Sequence, residues 1–236
     1  MKKASLALAV ALSPWLGNAY GVESEMTASP TPLNTTIGLD IASSYIFRGF
    51  TVNKNPSLQP TLKATAGGLT LGTWGSFPMD REEGELEQEV DLYATYDRAV
   101  GAFVFSIGAI EYTYPESDLD NDREIMLKAA LTAPLSPSLA IYHGLEGAVE
   151  KSTYYELAGK QELYSTGRFS SALGATLGYL DSDAGEDGLS HLTLTATASY
   201  AVVTASLNYV AETDADVNDL SEQEQVYVAT GASFAF

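Results

Sequence analysis

The sequence has no cysteine, so no disulfide can brace the fold and its core must close by backbone pairing and packing. Basic residues are scarce: 12 Lys and Arg stand against 31 Asp and Glu, a formal net charge of −19. A nucleic-acid binder presents a basic face, and this balance excludes one. Only His143 and His191 are available for acid–base work. After the first twenty or so residues, no stretch approaches the roughly 18–20 apolar residues that a membrane helix requires. Tyrosine, in contrast, occurs 14 times, and it favours strands and membrane–water interfaces.

The chain begins MKKASLALAVALSPWLGNAYG, with Lys2 and Lys3 ahead of a short apolar run and small residues at Gly17 and Ala19. This is the pattern of a secretory signal peptide over residues 1–19, with Gly21 as an alternative end point. The other reading, a buried N-terminal helix, is broken by Pro14 and Gly17. Residues 20–34 then form a periplasmic tail, one that can enter a barrel from below, and 35–236 the folded unit.

Within 35–236 the pattern has period two, interrupted at regular intervals. Twelve segments result: 36–50, 58–66, 69–77, 86–96, 102–114, 123–133, 139–147, 153–162, 169–179, 190–200, 202–211 and 224–236. In LEQEVDLYATY, Val90, Leu92 and Ala94 oppose Glu89, Asp91 and Tyr93. Acidic connections such as PMDREEGE and DSDAGEDG follow the odd segments, and tight turns such as Gly67-Gly68 follow the even ones. Long loops at one end, short turns at the other and segments of about 9–11 residues describe an outer-membrane barrel. The predicted fold is therefore all-β, a closed twelve-stranded antiparallel transmembrane barrel. A polar face of Thr, Ser, Gly and Glu would fill the interior, and the apolar face would meet lipid. The chain ends on Phe236, with Phe234 two residues back, as barrels recognised by the barrel-assembly machinery do.

On this parity Arg48 of SSYIFRGF faces the lumen, because an arginine on the lipid face at mid-depth costs about 2–4 kcal/mol. Tyr45 and Phe47 would then join the outer aromatic girdle. Glu87, Glu89, Asp91, Glu111 and Glu124 are expected to share the pore mouth with Arg48, which should pair with at least one carboxylate there. Asp40, Lys63, Lys128 and Glu146 are expected to face the lumen as well, together with Glu156 and Lys160. Carboxylates outnumber bases in this set about two to one, which predicts a preference for cations. A structural role for Arg48, bracing the wall, stands beside a transport role.

SSYIFRGFTVNKNPSLQPTL, LTLGTWGS, EVDLYATYD and IEYTYP resemble the Gcw_chp family, also called TorF-family porins. Tyr45, Arg48, Gly49, Pro56, Gln59, Trp74, Ser76, Glu89, Asp91, Tyr93, Tyr112, Tyr114 and Pro115 occupy the matching positions. The resemblance implies a proteobacterial outer-membrane barrel of undefined substrate, with no catalytic residues to transfer.

The expected function is passive diffusion of small polar solutes or cations, with no cofactor and no resident metal. Outer-membrane lipid and lipopolysaccharide would surround the wall. A structural or adhesive barrel with a blocked lumen is the alternative, although no outer loop looks long enough to fold inward as a plug. An outer-membrane hydrolase is the more distant one. It would need a serine beside a histidine, yet Ser190 is expected to point away from His191, and His143 to face lipid near Ser152. The acidic loops read as solvated, with weak divalent binding as the other possibility.

Overall fold

The structure is a computed structural model that describes residues 32–80, 88–115, 117–211, 217 and 225–236. The expected signal peptide and most of the tail lie outside these residues, as does Glu87. The strands are β1 (Asn34–Ala42), β2 (Tyr45–Phe47), β3 (Phe50–Asn53), β4 (Ser57–Ala66), β5 (Leu69–Pro78), β6 (Glu89–Val100) and β7 (Phe103–Thr113). They continue as β8 (Asp122–Leu131), β9 (Ser138–Glu146), β10 (Thr153–Thr166), β11 (Phe169–Asp181), β12 (Gly188–Tyr200), β13 (Val203–Ala211) and β14 (Gln225–Ala235). A 3-10 turn, Gly147–Val149, follows β9.

All strands but β2 and β3 form one closed barrel in which each pairs with its neighbour in the chain and β1 meets β14. Closure leaves no strand edge, which is what a sheet without solvent to satisfy its backbone requires. The seam extends to the last residue, where Phe236 and Thr35 exchange backbone hydrogen bonds of 2.9 and 3.1 Å. Both termini of the wall lie at the end of the short turns, here the turn end. The longer connections lie at the opposite, loop end.

Alternation sorts the side chains. Leu39, Ile41, Leu71, Leu92, Phe105, Ile107, Leu127, Leu173, Leu194 and Leu207 are all exposed on the outer face. Asp40, Gln59, Ser76, Asp91, Glu124, Thr195 and Asn208 point in, most of them buried. Such a band of exposed apolar residues is far larger than a water-facing surface carries. Among the described residues no helix is long and apolar enough to cross a membrane, a statement that has no bearing on a barrel.

The expected segments correspond closely to the wall strands, with one difference at the start. The first was expected to run from 36 to 50, but the wall strand ends at Ala42. Residues 43–56 leave the wall, turn into the barrel and return, and Ala42 pairs directly with Ser57 across β1 and β4. The inward excursion contains the β2–β3 hairpin, which forms its own small sheet. The expectation that no loop folds inward is thereby overturned, as is the placement of Tyr45 and Phe47 in a lipid-facing girdle. Both are 3 % exposed, packed inside the barrel.

Candidate functional site

The hairpin turns at Arg48-Gly49, between Phe47 and Phe50, which pair across it. Both central residues have positive φ, 48° for Arg48 and 88° for Gly49, as a two-residue type I′ turn requires. Glycine suits this geometry. Arginine does not, since a Cβ in the left-handed region crowds the following carbonyl.

What holds Arg48 there is its side chain. Nη1 and Nη2 donate to Oε1 and Oε2 of Glu124 on β8, each at 2.8 Å. The Tyr112 hydroxyl of β7 donates to the same carboxylate at 2.8 Å. Three rings face the guanidinium, with centroids 4.3 Å (Tyr154), 4.5 Å (Phe47) and 4.6 Å (Tyr142) from Cζ, within cation–π range. Glu124 is 3 % exposed and the Arg48 side chain 6 %. Burial works against the arginine charge, and the adjacent Glu124 more than offsets it, so the Arg48 pKa lies above its ordinary value.

The rest of the hairpin is seated by packing and by three polar anchors. Tyr45, Phe47 and Val52 join Trp74, Tyr93, Ile110, Tyr112 and Tyr114 in one buried cluster. The Tyr45 hydroxyl donates to Glu89 Oε2 at 3.0 Å. Thr51 is bonded by the side-chain amide of Gln225 on β14. At its root, Ser43 exchanges bonds with the Val228 backbone: its N–H donates at 2.8 Å and its Oγ accepts at 3.0 Å.

Glycines on the inner face make room for large neighbours. A Cβ at Gly72 would lie 2.2 Å from the Tyr93 hydroxyl, so the tyrosine ring rests directly on that backbone.

The residues singled out in the sequence divide into three groups. Arg48, Glu89, Asp91 and Glu124 come together around the hairpin, with Asp91 beside Glu89 on β6 and both fully buried. Asp40, Lys63, Lys128, Glu156 and Lys160 point inward and are only partly exposed; Asp40 and Glu156 stand in the loop-end halves of β1 and β10, and Lys63 lies towards the turn end of β4. Glu111 and Glu146 are corrections. The outward alternation of Phe103, Phe105 and Ile107 runs on without a register shift to Glu111, so Glu111 lies on the outer face. In β9 the register shifts between Arg123↔Glu146 and Glu124↔Gly144, leaving Leu145 as a bulge and putting Glu146 outside as well. There the two acids flank Arg123, at 3.0 Å from Glu111 and 2.7 Å from Glu146.

A second bulge changes the histidine geometry. Gly178 pairs with His191 and Tyr179 with Leu189, so Ser190 is the extra residue and, against expectation, is buried beside His191. The two ring nitrogens of His191 are engaged by the hydroxyls of Tyr154 at 2.9 Å and Thr193 at 2.8 Å. His143 faces out and bonds Thr153 at 3.0 Å. Among the described residues no group of three His, Asp or Glu side chains is arranged to hold a metal ion.

The sequence model of a family described as "Bacterial protein of unknown function (Gcw_chp)" matches residues 25–236. The chain belongs to the Gcw_chp family. No curated protein matches it. Among solved structures, a chain titled KdgM porin superposes with a TM-score of 0.51 at 12 % identity, covering 85 % of this chain and 99 % of that one. Another, from a study of in-meso crystallization of membrane proteins, gives 0.51 at 10 % identity, covering 86 % and 84 %. At these identities the likeness concerns the fold: this Gcw_chp member is a porin-like barrel.

Proposed function

We propose that the chain is an outer-membrane channel for passive diffusion of small polar solutes, narrowed at one level by the β2–β3 hairpin. The observation that carries this reading is the inversion of the barrel. An apolar outer face encloses a lumen of threonine, serine, glycine and charged side chains, which lipid could not solvate but water can. Twelve strands leave a narrower bore than the 16–18 of wide aqueous porins. The loop end faces the exterior and the termini the periplasm, after export on the N-terminal signal peptide and insertion through the C-terminal aromatic strand. The Glu111–Arg123–Glu146 cluster would then lie near the lipopolysaccharide headgroups.

Cations are favoured on entry. Exposed Asp118, Asp120, Glu150, Asp183, Glu186 and Asp187 surround the loop end, and such a rim raises the local cation concentration. Inside, Asp40 and Glu156 share the lumen with Lys63, Lys128 and Lys160, and the outward placement of Glu111 and Glu146 removes two acids from it. The preference is accordingly weaker than the sequence count implies. A reversal potential under a KCl gradient tests it: a positive-ion preference that fades in high salt is expected, and an anion preference refutes it.

The hairpin also supports a second reading, a barrel closed at rest and serving a structural role. Absence of conductance in the native protein, with conductance on removing the hairpin, would favour it.

A further inference from the structure

The turn chemistry of the hairpin does not call for arginine at position 48. Asparagine, aspartate or glycine is the usual residue where φ is positive, and Arg48 adopts φ 48° with both terminal nitrogens of its head group bonded to Glu124. The explanation must lie in what the head group meets. Glu124 on β8, Tyr112 on β7, Tyr142 on β9 and Tyr154 on β10 all belong to the barrel wall, not to the hairpin. The Tyr112 hydroxyl orients the carboxylate from the side, independently of the arginine. Two wall rings face the cation, at 4.3 and 4.6 Å.

We infer that Glu124, Tyr112, Tyr142 and Tyr154 form a binding site for a guanidinium-bearing cation and that Arg48 is its built-in occupant. A guanidinium solute and the hairpin tip therefore compete for one place on the wall. The ligand class follows from the geometry. Two parallel bonds of 2.8 Å to the two oxygens of one carboxylate are the match of a planar fork. An ammonium, a point charge with rotating donors, makes no such pair. Facing rings supply cation–π attraction to a weakly hydrated planar ion. The consequence, that such a solute displaces the hairpin and widens the path, rests on the channel reading above. The binding itself does not.

The test uses the full mature protein with Arg48→Gly, since glycine fits the positive φ and removes only the side chain. Arg48→Asn, also at home in the turn, is the second variant should the first not fold, with gel mobility before and after heating as the folding check. Methylguanidinium is titrated calorimetrically into each refolded barrel and added to single channels in a planar bilayer. The variant is expected to bind it at least about tenfold more tightly than the native protein and to return towards the native conductance as the site fills. Methylammonium at the same concentration should do much less, and adding Glu124→Gln should abolish both effects. Binding without a change in conductance would uphold the site and count against the channel. A conducting variant that shows no binding overturns the inference, as would equal binding of methylammonium or survival of the effect in the Glu124→Gln background.

Discussion

Arg48 and Glu124, 76 residues apart in the chain, meet inside the barrel as a bidentate pair with both bonds at 2.8 Å. A buried pair of this kind is costly to break from one side, because the remaining charge is left without a partner in a low-dielectric site, at about 3–5 kcal/mol. Arg48→Met or Glu124→Leu alone should loosen the hairpin strongly, and the two together should cost less than their sum. Protease sensitivity of the 43–56 segment, followed in both single variants and the double, measures this. Strictly additive effects would mean that the pair is not coupled.

Tyr93 lies across Gly72, and a methyl group there would come 2.2 Å from its hydroxyl and 2.3 Å from Cζ. Gly72→Ala must push the ring out of the cluster that seats the hairpin, a strain of about 1–3 kcal/mol. Gly38→Ala is the matched control, since its nearest neighbour would be Thr61 Cβ at an ordinary 3.6 Å. The temperature at which the folded band is lost on a semi-native gel should drop for the first variant and barely move for the second.

The wall was legible in the sequence because its two faces meet different solvents, so each strand writes a period of two. The hairpin was not, for a physical reason. Tyr45 and Phe47 are apolar in continuation of Ile37, Leu39 and Ile41, and a plug packed against Trp74 and Tyr93 asks for the same residue types as a lipid-facing girdle. The one available signal was Arg48-Gly49 between two phenylalanines, a short turn where a spanning strand was expected. Glu146 and Ser190 were misplaced because a bulge adds one residue and reverses parity beyond it, and nothing in their local sequence marks the site. Glu111 is different: its own strand alternates without a break, and Phe103, Phe105 and Ile107 already implied its outward position.

The outward position of Glu111 and Glu146 separates them from the lumen carboxylates. Glu111→Gln with Glu146→Gln should leave the reversal potential unchanged, whereas Asp40→Asn should shift it towards anions and Lys63→Gln with Lys128→Gln towards cations. Bilayer recordings at low salt, where screening is weakest, give the comparison. A shift from the outer pair equal to that from Asp40 would contradict the parity.

Phe236 closes the seam through two backbone bonds to Thr35 and ends the outward row that includes Phe234. Deleting Phe236 should therefore lower the amount of folded barrel recovered from outer membranes several-fold. Phe236→Leu, which keeps the backbone bonds, should separate seam closure from recognition of the aromatic ring. Normal recovery after the deletion would remove Phe236 from any part in assembly.

The account depends most on the hairpin as the element that narrows the lumen. Ala42 and Ser57 are already paired across β1 and β4, so residues 43–56 can be replaced by an Asn-Gly turn that closes an ordinary hairpin without disturbing the wall. Single-channel conductance of this protein and of the native one, under identical salt, is the direct measurement. A conductance raised severalfold, with weaker ion selectivity, is the predicted result. Equal conductance in a correctly folded variant would contradict it.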